Sequence, residues 1–432
     1  MEPHPIRMVV EDDLERSRLT VFFRLLLAIP HFIWLALWGI AMFFVAILSW
    51  FIVLFTGRLP DSLHAFSAAY VRYTAHVYAF VALAGNPFPG FTGAAGSYPI
   101  DLVVDPSERQ SRWKTAFRLL LALPALWLRG VLLVVVVRWW VYDEVTGTYY
   151  EFWVPVGVAL TVAFLAWFAC MVLGRMPLGF RDLLAYAIQF GAQTWGYLLF
   201  VTDRYPDMDP NHLPAREPTP ERPIKLRVED DLRRSRLTVF FRLLLFLPHY
   251  IWLSLWGLAA FVVAIVNWLA TLIMGRSPEA LHYFLAAFVR YQAHVYSYLL
   301  LIANPFPGFT GTEGTYPIDL EIDPPERQSR WKTAFRSVLV LPAFMLAYAL
   351  TLVVGLVALY LWVVGILLGR APEGLRNLGA FVIRYWAQTY GYFYLVTDRY
   401  PFSGPLEYVE PEPEPEPEAL PAWLDAPPEP SF

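Results

Sequence analysis

The chain has 432 residues, of which 57% are hydrophobic and 16% are charged, and its net charge is −4. The charged share lies well below the roughly 25% of soluble domains, and several apolar runs exceed the 18 residues that suggest a transmembrane helix. These figures predict an all-α polytopic membrane protein. They exclude a nucleic-acid-binding class, since the chain has no basic block.

The first predicted membrane element is an apolar stretch of 38 residues, 19–56, interrupted by one arginine, one proline and one histidine. A single bilayer crossing needs about 20 apolar residues, so the stretch has nearly twice that length. It returns at 237–274, and in weaker form at 117–173 and 335–368. We therefore expect it to be the membrane-embedded part of a repeating unit.

The chain repeats itself at two levels. Residues 10–39 match residues 228–257 at an offset of 218, and shared motifs within each half recur at an offset of 94. This pattern predicts four quarters. The predicted organisation is a first repeat pair at 1–206 with quarters at about 6–98 and 99–206, a linker at 207–222, a second repeat pair at 223–402 with quarters at about 223–316 and 317–402, and a disordered Pro/Glu-rich tail at 403–432.

Each quarter is predicted to open with a short cytoplasmic β-strand. Residues 98–104 and 316–322 alternate between apolar and polar side chains, and a period of two is typical of a strand with one face toward water. The long stretch follows, then a Gly-Arg-x-Pro motif, and then a second helix that ends at a proline-containing motif, because proline cannot continue the hydrogen-bond ladder.

The second helix of each quarter is predicted to be amphipathic, with a narrow polar stripe along one face. We call these four the striped helices. The candidate functional residues on the stripes are His64, Arg72, His76, Gln189, Gln193, His282, Arg290, His294, Arg384 and Gln388.

Two topologies are compatible with this pattern. In the first, the striped helices cross the bilayer and bring arginines near its midplane, at a cost of several kcal/mol each. In the second, the long stretch is a tight helical hairpin and the striped helices lie in the interface. Either arrangement gives two crossings per quarter, about eight in all. The Arg-rich junctions between quarters predict that both termini lie in the cytoplasm.

An insertion in the second quarter favours the hairpin. Between Arg129 and Pro155 this quarter holds about 23 residues that the fourth quarter lacks. The segment is polar and aromatic, and it resembles a β-hairpin around residues 144–147. Because it divides the stretch into two pieces of about span length, we expect the undivided stretches to turn back at the same point.

Several short motifs recur at matching positions. They are Ile29-Pro30-His31, Thr56-Gly57-Arg58-Leu59-Pro60, Pro248-His249, and Thr-Asp-Arg-Tyr-Pro at 202–206 and 397–401. With these motifs the chain resembles the bacterial membrane family known as domain of unknown function 4389, over almost all of residues 6–402. The odd quarters depart from the pattern by ending in Asn-Pro-Phe-Pro. The resemblance implies a multi-pass protein of the bacterial plasma (inner) membrane and brings no activity with it.

The sequence offers little support for catalysis. It has no motif of a hydrolase nucleophile, a zinc protease, a P-loop or a dinucleotide site. His64 and His76 share a helix face, but twelve residues separate them by about 18 Å, which is too far to bind one metal ion. We therefore expect a non-enzymatic chain without catalytic residues, cofactor or metal.

One arginine per quarter lies a few residues inside the apolar stretch. A long arginine side chain can reach from an apolar helix to the lipid headgroups. We therefore predict contacts with anionic headgroups at Arg24, Arg118, Arg242 and Arg336.

Two functions remain as hypotheses. The first is a non-catalytic membrane organiser or docking scaffold, whose partners are the lipid bilayer and a protein that binds the Pro/Glu-rich tail. The second is a transporter or channel in which the stripes line a polar path, since internal repeats are common in transporters. The position of the striped helices distinguishes the two.

Overall fold

The computed structural model describes residues 3–144, 146–213 and 222–405. These residues form a mostly helical protein. The first half contains β1 (Ile6–Val10), α1 (Arg18–Phe22), α2 (Arg24–Thr56), α3 (Asp61–Val81), β2 (Ile100–Val104), α4 (Arg112–Ala116), α5 (Arg118–Leu132), β3 (Val135–Asp143), β4 (Thr148–Val156), α6 (Val158–Leu173) and α7 (Leu178–Leu198).

A short 3-10 turn at Pro210–His212 precedes the second half. The second half contains β5 (Ile224–Val228), α8 (Arg236–Phe240), α9 (Arg242–Met274), α10 (Glu279–Leu299), β6 (Ile318–Ile322), α11 (Arg330–Ala334), α12 (Arg336–Leu339), α13 (Leu341–Leu368) and α14 (Glu373–Phe393). The striped helices are thus α3, α7, α10 and α14. Residues 214–221 of the predicted linker and 406–432 of the predicted tail lie outside the described residues.

Three segments are long and apolar enough to cross a membrane, namely α2, α9 and the near-continuous pair α12–α13. We call them the long helices. The helices α2 and α9 have 33 residues each, which corresponds to about 50 Å at 1.5 Å per residue. The expected helical hairpin is therefore wrong. Apart from Pro30, which the helix accommodates near its start, α2 offers only Gly39 as a strong turn former, and an unbroken helix satisfies more backbone hydrogen bonds than a turn among apolar side chains.

The insertion in the second quarter behaves differently from the other long stretches. The predicted β-hairpin is confirmed, because β3 pairs with β4 in antiparallel register around residues 144–147. The flanking helices α5 and α6 have 15 and 16 residues. The expectation that each piece is of span length is wrong, since a crossing needs about 20 residues.

The short strands are confirmed, and they pair across quarters. In the first half β1 pairs with β2, with Met8 opposite Leu102, and in the second half β5 pairs with β6, with Leu226 opposite Leu320. Alternate residues of β1 are buried, as a strand with one covered face requires. Each half therefore contains one small antiparallel sheet that joins its two quarters, β1–β2 or β5–β6, and the first half also has the β3–β4 hairpin.

Each half is built in three layers. The striped helices form the middle layer, where α3 packs on α7 and α10 packs on α14. The sheet covers one side of this layer, and α2 or α9, together with α5 and α13, covers the other. The long helices present an apolar surface to the outside, with Leu25 70%, Phe44 65% and Phe55 71% exposed. The striped helices thus lie inside the molecule.

The two halves meet through their second and fourth quarters. The helix α13 packs against α5 and α6, and the Tyr360 hydroxyl donates a hydrogen bond of 2.8 Å to the Pro124 carbonyl. The Asn377 amide donates to the Asp209 carboxylate at 2.5 Å. Helix packing and these two hydrogen bonds together join the halves.

Candidate functional site

The polar stripes meet the open edges of the β1–β2 sheet and of the β5–β6 sheet. The Gln189 side-chain oxygen accepts a hydrogen bond of 2.9 Å from the Met8 N–H, and the Gln193 amide donates one of 2.9 Å to the Ile6 carbonyl. These two glutamines are one helical turn apart, and they bond alternate residues of β1. Together they replace the neighbouring strand that the edge of β1 lacks, so the buried backbone groups are satisfied.

The opposite edge of the same sheet is bonded by α3. The Arg72 guanidinium donates to the Leu102 carbonyl at 2.9 Å and to the Gly93 carbonyl at 3.0 Å. Only 11% of its side chain is exposed. Side chains of α7 therefore bond one edge of the sheet and a side chain of α3 bonds the other. We call this arrangement the buried polar layer.

A histidine–aspartate pair lies at the centre of this layer. His76 Nε2 lies 2.7 Å from Asp101 Oδ1, and the Tyr98 ring stacks on the imidazole with ring centres 5.1 Å apart. Burial raises the pKa of the Asp101 carboxyl, but the hydrogen bonds from His76 and from the Leu102 and Gly96 N–H groups outweigh it, so this pKa is lowered from its usual 3.8. The carboxylate is therefore held in its charged form.

The second half repeats the layer with matching residues. Arg290 donates to the Leu320 carbonyl at 2.8 Å, and His294 Nε2 lies 2.6 Å from Asp319 Oδ1. Gln388 donates to the Ile224 carbonyl at 3.1 Å, as Gln193 does to Ile6. The remaining stripe residues are also buried, and they are His64, His282, which lies 3.1 Å from the Asp323 carbonyl oxygen, and Arg384, which donates to the Gly404 carbonyl.

The four recurrent arginines at the start of the apolar stretches lie against the C-terminal ends of the striped helices, each over an aromatic ring there. Each of Arg24, Arg118, Arg242 and Arg336 is only 2% exposed. Arg118 donates to the Tyr197 carbonyl at 2.6 Å and to the Thr202 carbonyl at 3.2 Å. A cation at this position satisfies carbonyl groups that a helix C-terminus leaves without partners. The predicted headgroup contact of these arginines stays a prediction.

Sequence reasoning missed the acidic partners of this layer. In the sequence, Asp101 and Asp319 are polar positions of alternating strands, and the Tyr-Pro-Ile-Asp-Leu motif that recurs in both halves is the signal that points to them. Asp12 and Arg16 form a buried ion pair of 2.7 Å, with the two side chains 1% and 0% exposed. Asp230 and Arg234 form the equivalent pair at 2.8 Å.

The layer is packed tightly. A cavity of about 10 Å³ lies between α3 and α7, lined in part by Val71, Arg129 and Trp195, and one of similar volume lies between α10 and α14. Such a volume holds roughly one water molecule. Within 3–144, 146–213 and 222–405, no group of three His, Cys, Asp or Glu side chains is arranged to hold a metal ion. The chemistry seen in the layer is internal hydrogen bonding.

Among known proteins, the chain matches one family model. No curated protein and no solved structure matches the chain. A model of the domain of unknown function DUF4389 matches residues 18–92, 236–310 and 330–404. The model leaves the second quarter unmatched, which is the quarter that carries the β3–β4 insertion. That this quarter is also a copy of the repeat stays a prediction. Because the three matched segments, of 75 residues each, together cover more than half of the 432 residues, the chain belongs to the family defined by the domain of unknown function DUF4389.

Proposed function

We propose that the protein is a non-catalytic membrane scaffold, which organises lipids and docks partners rather than moving a solute. The observation that carries this proposal is that the side chains of the polar stripes are engaged in hydrogen bonds inside the protein. Their Arg, His and Gln side chains bond the sheet edges, as Arg72 bonds Leu102 and Gln193 bonds Ile6. A side chain that is needed to satisfy buried backbone groups is not free to coordinate a passing solute.

The outer surface supports the same proposal. The apolar faces of the long helices are largely exposed, since only 17% of an apolar 18-residue segment of α2 and of α9 is buried inside the molecule. A large apolar surface of this kind needs lipid or protein to cover it. We propose the lipid bilayer, including anionic headgroups, as the main partner, and a protein partner at the Pro/Glu-rich tail.

The competing proposal is a transporter or channel with a path along the stripes. The internal repeats support it, because many transporters are built from repeats. Largely buried arginines midway along α3 and α10 also support it, since intramembrane charges often mark ion pathways. The small cavities beside the striped helices weigh against it, because a path needs a continuous space.

We also propose where the protein is located. We propose the bacterial plasma (inner) membrane as the location, following the family resemblance. The prediction is about eight crossings, two in each of four pseudo-repeats, with both termini in the cytoplasm. It stays a prediction, as does the absence of nucleic-acid partners.

The two functions separate in reconstituted vesicles. We would incorporate the full chain into phosphatidylethanolamine–phosphatidylglycerol vesicles, and measure vesicle diameter by cryo-electron microscopy and ion and proton flux by entrapped dyes. A scaffold is expected to change vesicle curvature as the protein-to-lipid ratio rises, with flux at the level of protein-free vesicles. Flux that depends on Arg290, shown by its loss in Arg290→Met and its retention in the exposed control Arg276→Met, would overturn the proposal in favour of transport.

A further inference from the structure

The first half carries an Arg-rich junction at each end of its long helix. At the start of α2, the Arg16 N–H donates to the Gly174 carbonyl at 2.9 Å, and the Arg18 guanidinium donates to the Val172 carbonyl at 3.1 Å. At the end of α2, the Gln110 N–H donates to the Gly57 carbonyl at 2.8 Å. The junctions at 15–18 and 109–115 are therefore separated by the whole helix, about 50 Å.

The second half repeats this separation. The Arg234 N–H donates to the Gly369 carbonyl at 2.9 Å, and the Gln328 N–H donates to the Gly275 carbonyl at 2.8 Å, at opposite ends of α9. Clusters of Lys and Arg beside membrane helices normally lie on the cytoplasmic side. If α2 and α9 crossed the bilayer, half of these clusters would lie on the wrong side.

The length of α2 points in the same direction. Its apolar part, 25–55, has 31 residues, or about 46 Å as a helix. To fit a hydrocarbon core of about 30 Å it would have to tilt by about 50°, beyond the observed range of about 0–40°. A helix that lies along the membrane plane has no such limit.

The charged outer faces of the sheets also oppose a crossing. Arg7 and Asp105 form an ion pair of 2.7 Å on the outside of the first sheet, with side chains 36% and 40% exposed. This sheet lies against the middle of α3, because Arg72, which bonds it, is near the midpoint of Asp61–Val81. A crossing α3 would expose that ion pair, and the open face of the sheet, to lipid near the bilayer centre.

We propose that the long helices lie in the plane of the membrane, embedded in the cytoplasmic leaflet, with the sheets facing the cytoplasm. The partner of the apolar face is then one leaflet of a bilayer. The exposed cations at the two ends of α2 form a rim that meets headgroup phosphates, and they are Arg18, Arg58, Arg112 and Lys114. Trp113, 76% exposed, lies in the same rim, as tryptophan does at membrane interfaces. The placement is independent of the scaffold proposal.

Labelling of single cysteines tests this placement. In a Cys170→Ala background of the full chain, we would make Ser17→Cys and Ser111→Cys at the two ends of α2, and Val103→Cys and Glu321→Cys on the outer faces of the two sheets. An impermeant maleimide would be applied to spheroplasts and to inverted membrane vesicles. All four cysteines are expected to react only in inverted vesicles. Reaction of the cysteines at 17 and 111 from opposite sides would overturn the proposal.

Depth measurement along α2 gives an independent test that does not depend on the side of labelling. Nitroxide labels at the exposed positions Ile33, Leu37, Ile40, Phe44 and Leu48 would be compared for accessibility to oxygen and to an aqueous nickel complex in phosphatidylethanolamine–phosphatidylglycerol vesicles. A label at the buried Met42 is the control for protein contact. The proposal predicts one depth for all exposed positions. A profile that is deepest at the middle of the series and shallower toward both ends would overturn it. If α2 proved to cross the bilayer and the vesicles showed no ion or proton flux, this placement would be rejected and the scaffold proposal would be unaffected.

Discussion

Single residues of the polar stripes act as backbone partners. Gln193 is the clearest case, because its amide donates to the Ile6 carbonyl and its oxygen accepts from the Asp207 N–H at 2.8 Å. The equivalent Gln388 donates to Ile224 and accepts from the Phe402 N–H at 2.9 Å. Each glutamine therefore links a sheet edge to the segment that follows a striped helix. Such a residue contributes to the stability of the fold.

The recurrent arginines provide a residue-scale prediction. Arg118→Met leaves the Tyr197 and Thr202 carbonyls and the Asp203 carboxylate without their buried partner. Breaking a buried pair of this kind typically costs about 3–5 kcal/mol, so we expect a large drop in the thermal unfolding temperature in detergent. The matched control is Arg58→Met, whose side chain is 56% exposed. An unchanged unfolding temperature together with weaker binding to anionic lipid would instead favour the headgroup contact.

The His76–Asp101 pair gives a prediction about pH. Because the pKa of Asp101 is lowered below 3.8 in the folded protein, its charged form stabilises the fold above the pKa of the unfolded chain, and this contribution is lost as the pH falls through the folded pKa. Asp319 behaves in the same way. We expect the unfolding temperature to fall steeply on acidification below about pH 4, with a weaker slope in Asp101→Asn/Asp319→Asn. Asp61→Asn changes an exposed site and should keep the slope of the parent protein. If it weakened the slope as much as the double variant does, this assignment would be contradicted.

At the scale of elements, one glycine controls how closely a loop approaches its striped helix. Gly93 has a positive φ of 61°, and a Cβ atom there would lie 2.2 Å from the Ala69 carbonyl oxygen. Its own carbonyl accepts the Arg72 hydrogen bond. The loop therefore needs glycine both for its backbone conformation and for its contact with α3.

Gly93→Ala is expected to destabilise the protein, because the loop must move away from α3 and the Arg72 bond is lost with it. We expect a cost of about 1–3 kcal/mol, measured as the shift in thermal unfolding. The control is Gly90→Ala, where an added Cβ meets no atom within 4 Å. Equal effects of the two substitutions would count against this explanation.

The β3–β4 hairpin explains why the second quarter differs from the others. Residues 134–156 number 23, and without them 33 residues would remain between Arg118 and Leu173, the length of α2 and of α9. Deletion of 134–156 is therefore expected to fuse α5 and α6 into one long helix. Circular dichroism should show retained helix and an unfolding temperature close to that of the parent. Loss of the fold would mean that the hairpin is needed for packing.

For the whole molecule, the layered arrangement links the fold to the proposed functions. Apolar long helices lie on one side of each half and a charged sheet lies on the other, with the striped helices between them. A protein embedded in one leaflet needs such an apolar side toward the lipid and a charged side toward water. The layered arrangement also explains why a chain with so many apolar residues keeps its polar stripes away from lipid.

The sequence by itself determined the repeat pattern, the apolar stretches, the short strands and the family, because these depend on composition, period and local motifs. The 98–104 and 316–322 strands and the hairpin around 144–147 followed from local periodicity and turn chemistry. Only the tertiary structure decided where the stripes point. A stripe of Arg, His and Gln can face water, a pore or a sheet edge with the same helical period, and the choice depends on β1 pairing with β2, 94 residues apart in the chain. The continuity of α2 also came from the structure alone: its length in residues suggested a turn, but the stretch forms one helix, because a turn among apolar side chains would leave backbone hydrogen bonds unmade.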